Sequence, residues 1–413
     1  MSSCEQITII SAVYPPEPVV SARMSQDLGK YLTEHGYRVN VLCPKPSRGG
    51  NYKNYQNSRK SEITIEQGIE IVRLPSYSSP HSKILARARE SYSFGYHVCN
   101  YLSMQPTKPD VLYVNTWPII SQALIAGYSK KNKIPMILQI MDIYPESLTN
   151  KLNKFMQWLL GLPLTLVDTW IAKRASRIVV ISSNMRNTYI KNRKIHTKKI
   201  KVINVWQDET LFRHLPKRDI ALSHYNIPSS FFTFLYLGNI GPVAGVDFLI
   251  RAFHEAALPK AQLIIVGEGS DKSKCQQEAK RFRSSNIHFI SDPIAENVPL
   301  LQSMADVFLL PLKKGAGMSS IPSKLAAYMF SGKPILATVD AESDTAVAIT
   351  QAQCGWVGEP ENVAWLADKM RKALKLSTNE ITQLGKNARM FGYQHFSKTV
   401  GVHSLADLIF SCC

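Results

Sequence analysis

Three glycine-rich turns and one lysine are the residues whose types and spacing could do chemistry. The first turn is Gly238-Asn239-Ile240-Gly241 with Gly245 beyond it, set between a β-like run and a helical run. Glycine lets a backbone approach a phosphate closely, and the helix that follows offers free N–H groups at its positive dipole end. The second is Gly267-Glu268-Gly269, again at the end of an apolar run. The third runs from Gly315 and Gly317 through Ser319, Ser320 and Ser323 to Lys324 and on to Gly332-Lys333-Pro334. Pro322 suits the start of a helix there, so Lys324 falls in a first turn, where the helix dipole disfavours a cation unless it faces an anion. Gly317, Ser323 and Lys324 therefore read as a clamp for a diphosphate. The spacing is not that of a nucleotide-hydrolysing P-loop.

The elements that must position these turns alternate. Ile7–Val13 is a β-branched run, Ser21–Gly36 has helical spacing, and Arg38–Cys43 is a second strand, together one βαβ unit. Further strands are expected at 69–74, 111–114, 136–140, 178–181 and 201–205. A second series has strands at 231–237, 261–266, 287–290, 307–310 and 334–337, with a helix over 246–257. Residues 45–62 read as a polar loop and 206–228 as a linker. The fold class is α/β: two doubly wound, Rossmann-like domains facing a central cleft, with ligands at the carboxyl ends of the strands. The expected domains are 1–205 and 206–394, with a helix at about 395–413 packing back on the first.

The 413 residues are 45% apolar, enough for two cores. Through residue 205 there are 28 Lys and Arg against 12 Asp and Glu, a net of +16, whereas the remainder carries 21 against 19. So lopsided a field points to an anionic partner for the first half. Two segments there join apolar and basic character, Lys83–Arg89 and Phe155–Val167, and read as contacts with an anionic membrane surface. Nucleic acid is not expected, since aromatic residues do not interleave the basic stretches. The seven cysteines form no Cys-x-x-Cys pair, which argues against zinc, and their scatter suits a reducing compartment. No Asp-x-Asp motif occurs, so no obligatory metal or other cofactor is expected. The opening residues lack a basic leader and no apolar run spans a bilayer. The expected location is cytoplasmic, peripheral to the inner face of the membrane.

Taken together and in this order, the three turns resemble the donor-binding domain of family 4 retaining glycosyltransferases, of the GT-B architecture. The likeness is greatest to a subgroup with Gly-Asn-Ile-Gly and Pro-Ser-Lys motifs found among capsule, colanic-acid and O-antigen enzymes of polysaccharide biosynthesis. Tyr14-Pro15-Pro16-Glu17 and the run Met141–Ser147 fit as well, so the likeness covers nearly the whole chain. It implies a transferase moving a hexosyl or N-acetylhexosaminyl unit from a nucleotide sugar, with UDP the expected carrier, to a polyprenyl-diphosphate-linked saccharide, with retention.

The donor site so implied comprises Gly238, Asn239, Gly241, Gly267, Glu268, Gly317, Met318, Ser319, Ser323 and Lys324. Residues 290–293 would flank the base, and Lys324 would neutralise the leaving diphosphate. In the first domain, Asp142 and Glu146 follow a strand on one loop and are the acid/base candidates, and Arg23 is the candidate for an acceptor phosphate. Several positions depart from the family pattern. Asn239 and Ala244 stand where many relatives carry Arg and Lys, Ser319 and Ala327 where many carry Glu, and Met141 where many carry His. These departures leave open a non-catalytic partner subunit. A nucleotide-sugar 2-epimerase of the same architecture is the other alternative.

Overall fold

A computed structural model describes residues 4–17, 19–47, 60–78, 84–116, 119–146, 154–212, 215–282, 286–291, 297–317 and 321–413. The chain divides into two compact units, Met1–Val205 with Gly401–Cys413, and Trp206–Val400.

The first unit holds an eight-stranded sheet. In chain order the strands are β1 (Gln6–Ser11), β2 (Arg38–Pro44), β3 (Glu62–Glu66), β4 (Ile69–Leu74), β5 (Val111–Asn115), β6 (Met136–Ile140), β7 (Arg177–Val180) and β8 (Ile200–Val202). Their order across the sheet is β3-β4-β2-β1-β5-β6-β7-β8, and all pairings are parallel except β3 with β4. The parallel strands are buried on both faces, which is why they read as continuous apolar runs rather than alternating ones. Ile7, Ile9, Ile10, Val41, Leu42, Val114 and Ile137 are all inaccessible. The order reverses between β1 and β5. Chains leaving those two strands diverge to opposite sides and open a crevice beyond their carboxyl ends.

Part of the polar stretch read as a loop over 45–62 proves otherwise at its end. Glu62 begins β3, an antiparallel edge strand whose Ile63 and Ile65 are exposed. Residues 48–59 lie outside the described residues. Within the first unit, Phe410 of the helix Lys398–Phe410 stacks on Tyr37, and His403 of the same helix meets Tyr31. Cys413 beyond it forms a disulfide with Cys4, a pairing that cysteine spacing did not indicate.

The second unit holds a six-stranded parallel sheet: β9 (Phe232–Leu237), β10 (Ala261–Val266), β11 (Ile287–Ile290), β12 (Val307–Pro311), β13 (Ile335–Thr338) and β14 (Gly355–Gly358), in the order β11-β10-β9-β12-β13-β14. Its switch lies between β9 and β12. The helix Val246–Ala256 covers one face through Val246, Phe248, Leu249, Ile250 and Phe253. Each such fully buried side chain contributes roughly 1.5–3 kcal/mol.

Residues 206–228 are not a linker. Trp206 is fully buried, and Glu209–Phe212 and Arg218–His224 are short helices whose Phe212, Ala221 and Leu222 join the second core. The prolines that suggested a linker only separate these turns. The Glu209 carboxylate ties them down, accepting from the Lys398 amide at 2.8 Å and the Thr399 hydroxyl at 2.6 Å.

Candidate active site

The turns after β9 and β10 are joined backbone to backbone. The Gly238 amide donates to the Val266 carbonyl at 3.0 Å, the Ile240 amide to the Glu268 carbonyl at 2.7 Å, and the Asp271 amide to the Ile240 carbonyl at 3.0 Å. Gly267 and Gly269, at φ of +140° and +155°, make this approach possible. Their lack of a side chain thus serves the packing of one turn on the other. Asn239 is exposed, and its carbonyl accepts from the Tyr236 hydroxyl at 2.7 Å. Gly241 is buried behind it. Glu268 projects into solvent and pairs with Lys272 at 2.6 Å, which holds its carboxyl below the usual range.

The turn after β12 is held from β13. The Asp340 carboxylate accepts from the Gly315 amide through both oxygens, at 2.9 and 3.1 Å, and Gly317 packs beside Leu312 and Ser343. Met318, Ser319, Asp292 and Pro293 lie outside the described residues. The helix Ser323–Ser331 follows, with Pro322 in extended backbone as its N-cap and Ser323 exposed at its first position.

Lys324 turns back from that helix toward β9. Its ammonium donates to the Tyr236 hydroxyl at 3.0 Å and stands 4.4 Å from the centre of the Tyr236 ring. It also reaches Gly238, where an added Cβ would be 3.1 Å from Nζ. Burial depresses its pKa to about 8, and no carboxylate among the described residues offsets the effect. Lys324 and Gly238 are thus brought together at the switch between β9 and β12, with Asn239 beside them.

In the first unit a cavity of about 230 Å³ opens at the carboxyl ends of β1, β5 and β6. Asn115, Thr116, Gln122, Asp142, Tyr144 and Asp168 are among its polar lining residues. Asp142 is exposed to solvent there. Glu146 does not line the cavity. Arg193, fully buried, grips both its oxygens at 2.5 and 2.6 Å. Burial would raise the Glu146 carboxyl, but the Arg193 hydrogen bonds outweigh it and the net shift is downward. That grip tethers the loop that carries Glu146. Arg193 also donates to Asp168 at 3.0 Å and to the Tyr144 carbonyl at 2.7 Å, and Tyr189 donates to Asp168 at 2.9 Å. Burial pushes the Asp168 carboxyl up to about 6 against the pull of these donors. Arg23 is half-buried in the first turns of Val20–Glu34 and is not among the cavity's lining residues.

Sequence reasoning missed Tyr236, Asp340, Asp168, Tyr189 and Arg193. Each acts through a partner distant in the chain, and no local spacing announces such a pair.

Comparison with known proteins decides the family. The model for Glycosyltransferase Family 4 matches residues 21–208, and that for Glycosyl transferases group 1 matches residues 218–391. The chain belongs to glycosyltransferase family 4. This glycosyltransferase is 24% identical over 307 residues to WbjE of Pseudomonas aeruginosa, named as a glycosyltransferase, across 73% of this chain and 72% of that one. It is 22% identical over 389 residues to WcaI of Escherichia coli, named as a colanic acid biosynthesis glycosyl transferase, across 90% of this chain and 92% of that one. Among solved structures, HepE of Anabaena in complex with UDP-glucose superposes with a TM-score of 0.68 at 16% identity, covering 98% of this chain and 99% of that one. The fold is GT-B, as in solved glycosyltransferases that span the same length.

Proposed function

We propose that this glycosyltransferase moves a hexosyl or N-acetylhexosaminyl unit from a nucleotide sugar to a polyprenyl-diphosphate-linked saccharide, with retention, in the biosynthesis of a bacterial surface polysaccharide such as an O-antigen or capsule. One observation carries the donor half of this reading. A lysine without a carboxylate partner among the described residues meets glycine-exposed backbone at the carboxyl edge of a parallel sheet. A diphosphate there would restore the charge that burial disfavours in Lys324 and would accept from nearby amides. The reading assigns the stabilisation of the leaving nucleotide to these groups, with no obligatory metal. HepE, which shares the fold, binds UDP-glucose, and a UDP-linked donor is the first to test. Asp142, at the mouth of the first unit's cavity, is assigned to orient or deprotonate the acceptor hydroxyl. Arg23 remains the candidate for an acceptor phosphate.

The membrane half rests on an exposed stripe. Leu159, Leu162, Leu166 and Trp170 recur at helical spacing on Lys154–Arg174, and all four face solvent. Arg174 stacks on Trp170 at 4.0 Å, and Lys173 lies beside it. The helix runs through Pro163, and no helix among the described residues is long and apolar enough to cross a membrane. Leu85, on the helix Ile84–Met104, is 84% exposed and adds to the apolar surface of this basic unit. Lys83 and the side chains of Phe155, Met156 and Trp158 lie outside what is described. An inner-leaflet surface of anionic lipid fits this combination.

The deciding experiment incubates purified protein with UDP-, GDP- and dTDP-sugars and a polyprenyl-diphosphate-linked saccharide, and follows the lipid product by mass spectrometry. One donor should extend the lipid-linked sugar, with its anomeric configuration kept. Extension of none of them, with a free epimerised sugar nucleotide instead, would sink the reading.

A further inference from the structure

Tyr236 is the penultimate residue of β9, next to the switch, and is fully buried. Its hydroxyl has one proton and gives it to the Asn239 carbonyl at 2.7 Å, which leaves a lone pair for the Lys324 ammonium at 3.0 Å. Its ring supplies a negative face to the same cation at 4.4 Å. One side chain therefore ties the β9 turn and the lysine into one arrangement.

The surroundings are fixed as well. Tyr328, on the lysine's own helix, donates to the Leu237 carbonyl at 3.1 Å and accepts from the Leu237 amide at 2.8 Å. Its ring stacks on Phe308 of β12 at 4.1 Å. Among the described residues, Tyr236 and Tyr328 are the titratable groups of β9 and of the lysine's own helix that pack here. Burial drives both hydroxyls upward, so both stay protonated. The β9 turn contributes glycine, Asn239 and Ile240, which carry no charge, and across it the Glu268 carboxylate is engaged by Lys272. Without Tyr236, nothing on β9 would hold the ammonium in its desolvated position.

We infer that Tyr236 is the positioning residue of the diphosphate site, aiming Lys324 at the glycine turns and so setting the affinity for a diphosphate group. The inference rests on the donor reading above. It adds a residue that works through Lys324 and touches no substrate itself.

Titration calorimetry with UDP, GDP, dTDP and inorganic pyrophosphate tests it. Tyr236→Phe keeps the ring and removes the hydroxyl. It should weaken the diphosphate that binds the wild type by about tenfold, the scale of one hydrogen bond to a charged group. The corresponding nucleoside without phosphates should bind both proteins equally. In a Lys324→Met background, Tyr236→Phe should have no further effect, because the two act as one unit. Wild-type affinity should fall as pH rises past about 8, where Lys324 loses its proton, and Lys324→Arg should hold it level to pH 9. Equal affinity in Tyr236→Phe and wild type, or losses that simply add in the double variant, overturns the inference. Pyrophosphate bound with the same Tyr236 dependence, but no nucleoside diphosphate, keeps the inference and removes the donor reading. A wild type that binds none of the four removes both.

Discussion

A methyl group at Gly267 would stand 2.0 Å from the carbonyl oxygen of Gly238. No side chain fits there, so the turn after β10 can lie on the turn after β9 only while residue 267 is glycine. The site is in this sense built from two backbones before any ligand arrives.

Gly267→Ala should therefore separate the turns and lower stability by more than about 2 kcal/mol, a combined effect of overlap and positive φ. Gly241→Ala is the contrast. Its added Cβ would meet the end of the exposed Asn239 side chain at 2.7 Å, which can swing away. Thermal denaturation of the two variants should give a large fall for the first and a small one for the second. Equal midpoints would mean the turns can part without loss.

Lys324→Ala removes the cation that reaches Gly238 of the β9 turn. Turnover of the donor should fall by about 10²–10³, the usual loss for one preorganised charge-stabilising group. Circular dichroism should be unchanged. Turnover equal to wild type would place the diphosphate elsewhere. Chelation by EDTA should leave wild-type turnover as it was.

Arg193 joins Asp168 and Glu146 from a fully buried position. Arg193→Leu leaves a buried carboxylate uncompensated and should cost about 3–5 kcal/mol. Glu146→Gln should cost much less, because that side chain is 39% exposed. The pH dependence has a definite sign. Asp168 titrates at about 6 when folded, above its ordinary 3.8, so the folded state binds more protons between those values. Its contribution to stability falls as pH rises through that window. Without the guanidinium the window extends upward, so Arg193→Leu should be destabilised less at pH 5 than at pH 7. Urea denaturation at the two pH values reads this directly, and a larger loss at pH 5 would count against it.

Asp142 and Glu146 share a loop but differ in surroundings. Asp142→Asn should lower kcat by about 10²–10⁴ with little change in donor affinity, as removal of a general base does. Glu146→Gln should lower kcat less, through loosening of the loop. A greater loss for Glu146→Gln would exchange the two assignments.

Leu159→Ser, Leu162→Ser and Leu166→Ser together should abolish sedimentation with vesicles containing phosphatidylglycerol without lowering the thermal midpoint, since all three side chains face solvent. Retained sedimentation would move the membrane contact off this helix.

The amino-acid sequence alone determined the alternation of strands and helices, the places of the glycine turns and the charge of the first half. These are local properties: β-branched runs, helical spacing and glycine need only their neighbours to be read. Even so, the reading failed at 206–228, where prolines imitate a linker although Trp206 and Phe212 are buried, and at Glu62, read as the end of a loop but the first residue of a strand whose pairing depends on β4. Only the tertiary structure decided which turns meet. Tyr236 and Lys324 are 88 residues apart, and Glu146 and Arg193 are 47 apart. Each pair exists because strand order and crossover connections bring distant ends to one edge of a sheet, and no property of either residue's neighbours encodes that order. The same physics put the Arg193 guanidinium against Glu146, and the sequence around Glu146 does not announce that cation.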